Sequence, residues 1–183
     1  MHAILSRALV APLILTLSAC SPGTDPAAQG RALLDAAEQG DVSTLDGLLD
    51  EGSTVDVRDA CRWTPLMKAA LNGHLETVQR LLAFGAGMDA EDKGGSTAMM
   101  LAASNNHADV VEVLLQKGAA VDHVEKTNGW TALVWAAKRG HGDAVERLLE
   151  WGADVSIRDA RGLTAADWAR QAGHGELAGR IAR

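Results

Sequence analysis

Apolar residues recur along this chain as short i, i+3, i+4 stripes: Val78, Leu81 and Leu82; Val110, Val113 and Leu114; Val145, Leu148 and Leu149. Each stripe is the core face of an amphipathic helix. Ahead of each lies another helical pattern with an Ala pair, Ala69-Ala70, Ala102-Ala103 or Ala136-Ala137, small enough for two helices to approach closely. Thr64, Thr97, Thr131 and Thr164 precede these first helices. A Thr there predicts a cap, because its side-chain oxygen accepts from an orphan backbone N–H. Pro65 follows Thr64, where a missing donor does no harm. Gly73 and Gly140 are expected to end their helices in a left-handed conformation, with Asn106 in the same role. Gly85, Gly118 and Gly152 stop the second helices. Extended pieces follow, each with an Asp or Asn and a Gly near its tip, as a β-turn requires.

These signals repeat in register. The four Thr are spaced 33, 34 and 33 residues apart, and His74, His107, His141 and His174 keep the same intervals. Gly52, Gly85, Gly118 and Gly152 form a third ladder. Such a chain is a stack of one supersecondary unit, stabilised by packing between neighbours.

The unit, T-P-L-x-x-A-A, then G-H, V-V-x-x-L-L and G-A-x-V, resembles the ankyrin repeat over residues 30–183. The resemblance implies an all-α solenoid of stacked helix-turn-helix units with β-hairpin loops, about five in number, with degenerate end caps. Arg31 to Asp59 reads as the degenerate first unit, with Asp41 in the place of His. The last unit turns polar late, at Arg170, Arg180 and Arg183, as suits an end that covers the core. Three departures stand out. Arg62 occupies the turn position of Gly95, Gly129 and Gly162; if left-handed, it costs about 1 kcal/mol. One extra residue lies within His123 to Asn128, and Ala98, Ala132 and Ala165 replace the Pro.

Residues 1–19 read as a leader: Arg7, then an apolar run over 8–17 that is too short to cross a bilayer of ~30 Å. Its end, Leu17-Ser18-Ala19-Cys20, resembles the bacterial lipobox. That resemblance implies cleavage before Cys20 and lipidation of its thiol. Ser21, where an Asp would retain the protein in the inner membrane, favours the inner leaflet of the outer membrane. Residues 20–29 hold two Pro and a Gly and read as a flexible tether. The whole resembles a bacterial periplasmic ankyrin-repeat lipoprotein.

The formal net charge is −7. An acidic chain without a basic block is a poor ligand for nucleic acid. With Cys20 lipidated, Cys61 is left alone beside Arg62, so no disulfide framework forms. His residues one repeat apart are separated by roughly 10 Å, the usual spacing of packed helices, and cannot share a zinc ion. In ankyrin repeats this His ties down the turn between helices. No phosphate-binding loop, G-x-S-x-G, H-E-x-x-H or C-x-x-C pattern is present. The expectation is a non-catalytic monomer that needs no cofactor.

The family resemblance places partner contacts on the loop tips and on the exposed side of the first helices. By position these are Arg58, Arg62, Trp63, Leu71, Lys93, Trp130, Trp135, Lys138, Arg139 and Arg161. Trp and Arg dominate binding hot spots. Trp63 and Trp130, directly before the capping Thr, are expected to be exposed; Trp135 and Trp168 either join the strip or fill gaps between repeats. The strip is richer in basic groups than the chain as a whole, which favours an acidic protein face or a polyanionic glycan. The expected function is a protein-binding scaffold at the bacterial envelope. An inhibitor or immunity protein of a periplasmic enzyme is one alternative. Another is an accessory factor for an envelope or oxidative-stress enzyme such as a catalase, by family analogy alone.

Overall fold

The computed structural model describes residues 26–183. They form five helix pairs: α1 (Pro26–Gln39) and α2 (Val42–Asp50), α3 (Pro65–Asn72) and α4 (Leu75–Ala83), α5 (Ala98–Ser104) and α6 (Ala108–Gln116), α7 (Ala132–Arg139) and α8 (Gly142–Glu150), α9 (Ala165–Gln171) and α10 (Gly175–Ile181). The odd-numbered helices pack in one row and the even-numbered helices in another. The odd row is the more closely packed, so the stack curves with the first helices on its inner side. The Ala pairs 69-70, 102-103 and 136-137 are fully buried in that row, as close approach requires. Leu45, Val78, Leu81, Val110, Leu114, Val145 and Leu148 fill the space between rows. This is the all-α solenoid of five units that the repeat register predicts.

Each predicted Thr cap forms. The hydroxyl oxygens of Thr64, Thr97, Thr131 and Thr164 accept from the N–H groups of Met67, Met100, Val134 and Asp167. The His residues at the start of α4, α6, α8 and α10 make no such cap. Their rings turn instead to the preceding unit. The Nε2–H groups of His74, His107 and His141 donate to the carbonyls of Glu38, Leu71 and Ser104, at 3.0, 3.0 and 2.9 Å. Because a carbonyl only accepts, Nε2 carries the proton. In the first unit, Asp41 holds the His position and caps its own helix, accepting from Thr44 N–H at 3.1 Å. The His therefore joins units as well as fixing the turn.

One boundary differs from expectation. α1 begins at Pro26, so the last four residues expected in the tether, Pro26 to Gln29, form its first turn. Pro is tolerated there and Ala and Gln are good helix formers. The leader, Cys20 and the rest of the tether lie outside the described residues.

The hairpin tips carry a repeated device. Oδ1 of Asp59 accepts from the N–H of Cys61 and Trp63. Asp92 does the same with Gly94 and Ser96, and Asp159 with Arg161 and Leu163. The extra residue of the third tip falls after this position, and there Glu125 replaces Asp. Its longer side chain spans the longer loop, accepting from Thr127, Asn128 and Trp130. Backbone bonds then tie tip to tip: Lys93 N–H to Cys61 O, Lys126 to Gly94, Ala160 to Asn128.

Arg62 has φ 67°, where Gly95, Gly129 and Gly162 have 87°, 77° and 75°. A side chain in this region is strained, so Arg62→Gly is expected to stabilise the domain by about 0.5–1 kcal/mol. Urea unfolding measures it; a loss of stability would show that the Arg62 side chain makes contacts worth more than its strain.

Candidate protein-binding face

Reading the first helices in register gives the inner face. Four residues after the cap position stand Asp35, Lys68, Leu101, Trp135 and Trp168; seven after it stand Glu38, Leu71, Ser104, Lys138 and Gln171. The face runs from acidic in the first unit, through Lys68 in the second and an uncharged third, to basic and aromatic in the fourth.

The side chains eight after the cap lock the units. Asn72 and Asn105 donate to the carbonyls of Glu38 and Leu71. Arg139 takes this role in α7, reaching Ser104 O at 3.0 Å and Asn105 Oδ1 at 3.3 Å. The first-helix carbonyls at Glu38, Leu71 and Ser104 thus each accept from a His ring and from one of these side chains.

At the first tips, Arg58 donates to Glu91 O at 3.0 Å, so part of its guanidinium binds the next tip. Arg62 and Lys93 are exposed, as is Cys61. Trp63 and Leu71 are half-buried with an edge to solvent. Lys68 pairs with Glu38 at 2.7 Å and lies 5.8 Å from the Trp63 ring centre. Lys126 pairs with Glu91, which His123 also approaches. His123 is half-buried, and its Nε2–H donates to Gly95 O at 3.1 Å.

The fourth and fifth units hold a denser cluster. Trp130, expected to be exposed, is only 7% exposed. Its ring lies edge-to-face with those of Trp135 (centroids 4.8 Å apart) and Trp168 (5.2 Å). Trp168 is equally buried, so it fills the gap between repeats; Trp135 is half-buried and keeps a place on the face. The exposure of Trp130 is lost because the fourth tip brings a carboxylate, and the fifth unit an indole, against it. The Nε1–H groups of Trp130 and Trp168 both donate to Oδ2 of Asp159, at 2.9 and 2.8 Å. Above the rings, Lys138 Nζ lies 4.3 Å from the Trp130 centre and 4.7 Å from that of Trp168. Arg161 lies 4.9 Å from Trp168, and Arg139 5.6 Å from Trp135. A cation over an indole face is attracted by the ring quadrupole.

Asp159 and Glu125 are the residues that sequence reasoning missed as organisers of this face. Burial alone would raise both acids. Four N–H donors hold Asp159 below the usual carboxylate range, and three backbone N–H groups do the same for Glu125. The available signal was the ladder Asp59, Asp92, Glu125 and Asp159, one per tip.

Among the described residues, no group of three or more His, Cys, Asp or Glu side chains is placed to hold a metal ion. No helix among them is long and apolar enough to cross a membrane. No curated protein matches the chain. A family model described as ankyrin repeats (3 copies) matches residues 33–125 and again 119–181. Ankyrin repeats generally mediate protein–protein interaction and typically carry no catalysis. The register, the ring-to-carbonyl ladder and this match together place the chain in the ankyrin-repeat family.

Proposed function

We propose that this chain is a non-catalytic scaffold of the bacterial envelope that binds one protein partner on its inner face. Residues 1–19 export it, and Cys20 carries the lipid that holds it, facing the periplasm, on the inner leaflet of the outer membrane. It works as a monomer, without cofactor or nucleic acid. The observation that carries the reading is the inner row itself. Leu71, Trp135, Lys138 and Arg139 stand in register on one side of a rigid stack, beside the tip residues Arg62, Lys93 and Arg161. A preformed face of this kind lowers the ordering cost of binding.

One experiment tests both halves. The full chain is expressed in a bacterium with a photo-crosslinking amino acid at Leu71, or at Phe84, which closes α4 and is 41% exposed. The Leu71 position is expected to capture a discrete protein and the Phe84 position not to. In fractionated cells, Cys20→Ser is expected to move the chain from the membrane to the soluble fraction. Equal capture from both positions would sink the inner face as the binding surface. Membrane retention of Cys20→Ser would sink the anchor.

A further inference from the structure

Lys138, Arg139 and Arg161 form a cationic corner in which, among the described residues, no side chain carboxylate makes an ion pair. Of the other cations on the face, Lys68 is answered by Glu38 and Lys126 by Glu91, while Arg62 and Lys93 stand singly on separate tips, away from any indole cluster. We propose that this corner, floored by Trp130 and Trp168, recognises an acidic segment of the protein partner. The proposal rests on the inner-face reading above and names the chemistry of what that face takes.

The floor fixes the cations. Lys138 and Arg161 both lie within 5 Å of the Trp168 ring centre, and Lys138 is also held by Trp130. Long cationic side chains normally lose much rotamer freedom when they bind; here the rings have already restricted it. The nearby carboxylate, Asp159, cannot take the place of a partner. It lies beneath the indoles, 6% exposed, and both of its oxygens already accept two N–H donors each. Through those indole bonds it makes the ring faces more electron-rich and strengthens their hold on the cations.

The spacing suits a polypeptide. Alternate side chains on one face of an extended strand lie roughly 7 Å apart, so two carboxylates at i and i+2 reach two cations gathered round one indole. A glycan is disfavoured because the Trp130 and Trp168 faces are covered and offer no platform for a sugar ring. A nucleic acid is disfavoured because three cations on a chain of net charge −7 give little phosphate affinity. The acidic first unit, with Asp35, Glu38 and Asp59, opposes the basic corner and sets the direction in which an acidic segment lies.

The test uses the full chain, a fluorescein-labelled peptide of alternating Glu and Ser, its Gln counterpart and a heparin fragment. Binding is read by anisotropy and by the emission of the Trp cluster. The Glu peptide is expected to bind and the Gln peptide not to. Lys138→Glu with Arg161→Glu is expected to weaken the Glu peptide at least about tenfold, and the outer-row pair Lys117→Glu with Arg147→Glu less than about twofold. Lys138→Gln with Arg161→Gln, which keeps aliphatic stems over the rings, guards against misfolding and is expected to cost about fivefold. Equal loss in both reversed pairs, or heparin binding as tightly through the same residues, would overturn the proposal, as would no binding of the Glu peptide. If the Glu peptide fails while Leu71 still captures its protein, the acidic segment is wrong and the scaffold stands. If the peptide binds and the Leu71 capture is absent, the scaffold reading is the one that falls.

Discussion

Asp159→Ala is expected to destabilise the domain by about 3–4 kcal/mol, because each buried donor left without a partner costs about 1–3 kcal/mol and the change strands four of them. Two are the indole N–H groups of Trp130 and Trp168, and two are the backbone N–H groups of Arg161 and Leu163. The simple sum overshoots, since a hairpin tip lets water reach the backbone pair. Asp159→Asn keeps one acceptor oxygen and turns an NH₂ toward donors; about 2–3 kcal/mol is expected. Unfolding in urea, followed by Trp fluorescence and by circular dichroism, measures both. Fluorescence should change before helicity, because neighbour-only packing lets the last two units loosen first. A loss under about 1 kcal/mol for Asp159→Ala would show that the carboxylate is not the hub of the cluster. The same acids set an acid limit. Their pKa values are lowered on folding, so the unfolded chain binds protons first as pH falls. Their stabilisation is complete above the ordinary carboxylate pKa of about 4 and is lost as pH drops through the lowered folded values. Asp159→Asn should accordingly flatten the decline of stability below pH about 4.

What sequence reasoning recovers and what it misses divide by range. Thr caps, left-handed Gly73, Gly140 and Asn106, and the helical stripes are each decided by a few adjacent residues, and the structure shows all of them. The unit count follows from the ladders. Trp130 fails because its exposure is decided 29 and 38 residues away, at Asp159 and Trp168. Trp63 holds the same place before its cap Thr, yet Leu101 stands where Trp168 would be in register, and Trp63 stays half-buried. The role of Glu125 was equally hidden. The inserted residue was visible, but its meaning needed the tip geometry, in which one more methylene lets a carboxylate reach across one more residue. Of the ten residues expected on the binding face, the structure leaves Trp130 beneath it and ties Arg58 and part of Arg139 to neighbouring units. It leaves the fourth-unit cations to make the face distinctive.

Gly73→Ala is the second large effect expected, a loss of about 3 kcal/mol built from two parts. Gly73 has φ 72°, a conformation that costs a residue with a Cβ roughly 1 kcal/mol. A Cβ built there would also overlap the ring of His107. At Gly140 the same atom would stand 2.5 Å from Cε1 of His174, so the crowding recurs along the ladder. The ring cannot move away freely, because its Nε2–H holds Leu71 O at 3.0 Å; displacing it gives up a hydrogen bond worth about 1 kcal/mol together with ring packing. Asn106, the non-Gly residue at this turn, shows the compensation that Ala lacks. Its φ is 60°, and its side chain accepts from Ala144 N–H at 3.1 Å and donates to Asp143 at 3.2 Å, capping α8 from the preceding unit. A double-mutant cycle separates the two parts. With His107→Ala in place, the added cost of Gly73→Ala should shrink to the conformational part, about 1 kcal/mol, giving a coupling of about 2 kcal/mol. Additive effects would mean that the ring and the turn are not in contact. The His107 ring would then serve the joint between the second and third units through its bond to Leu71 O and not through the turn.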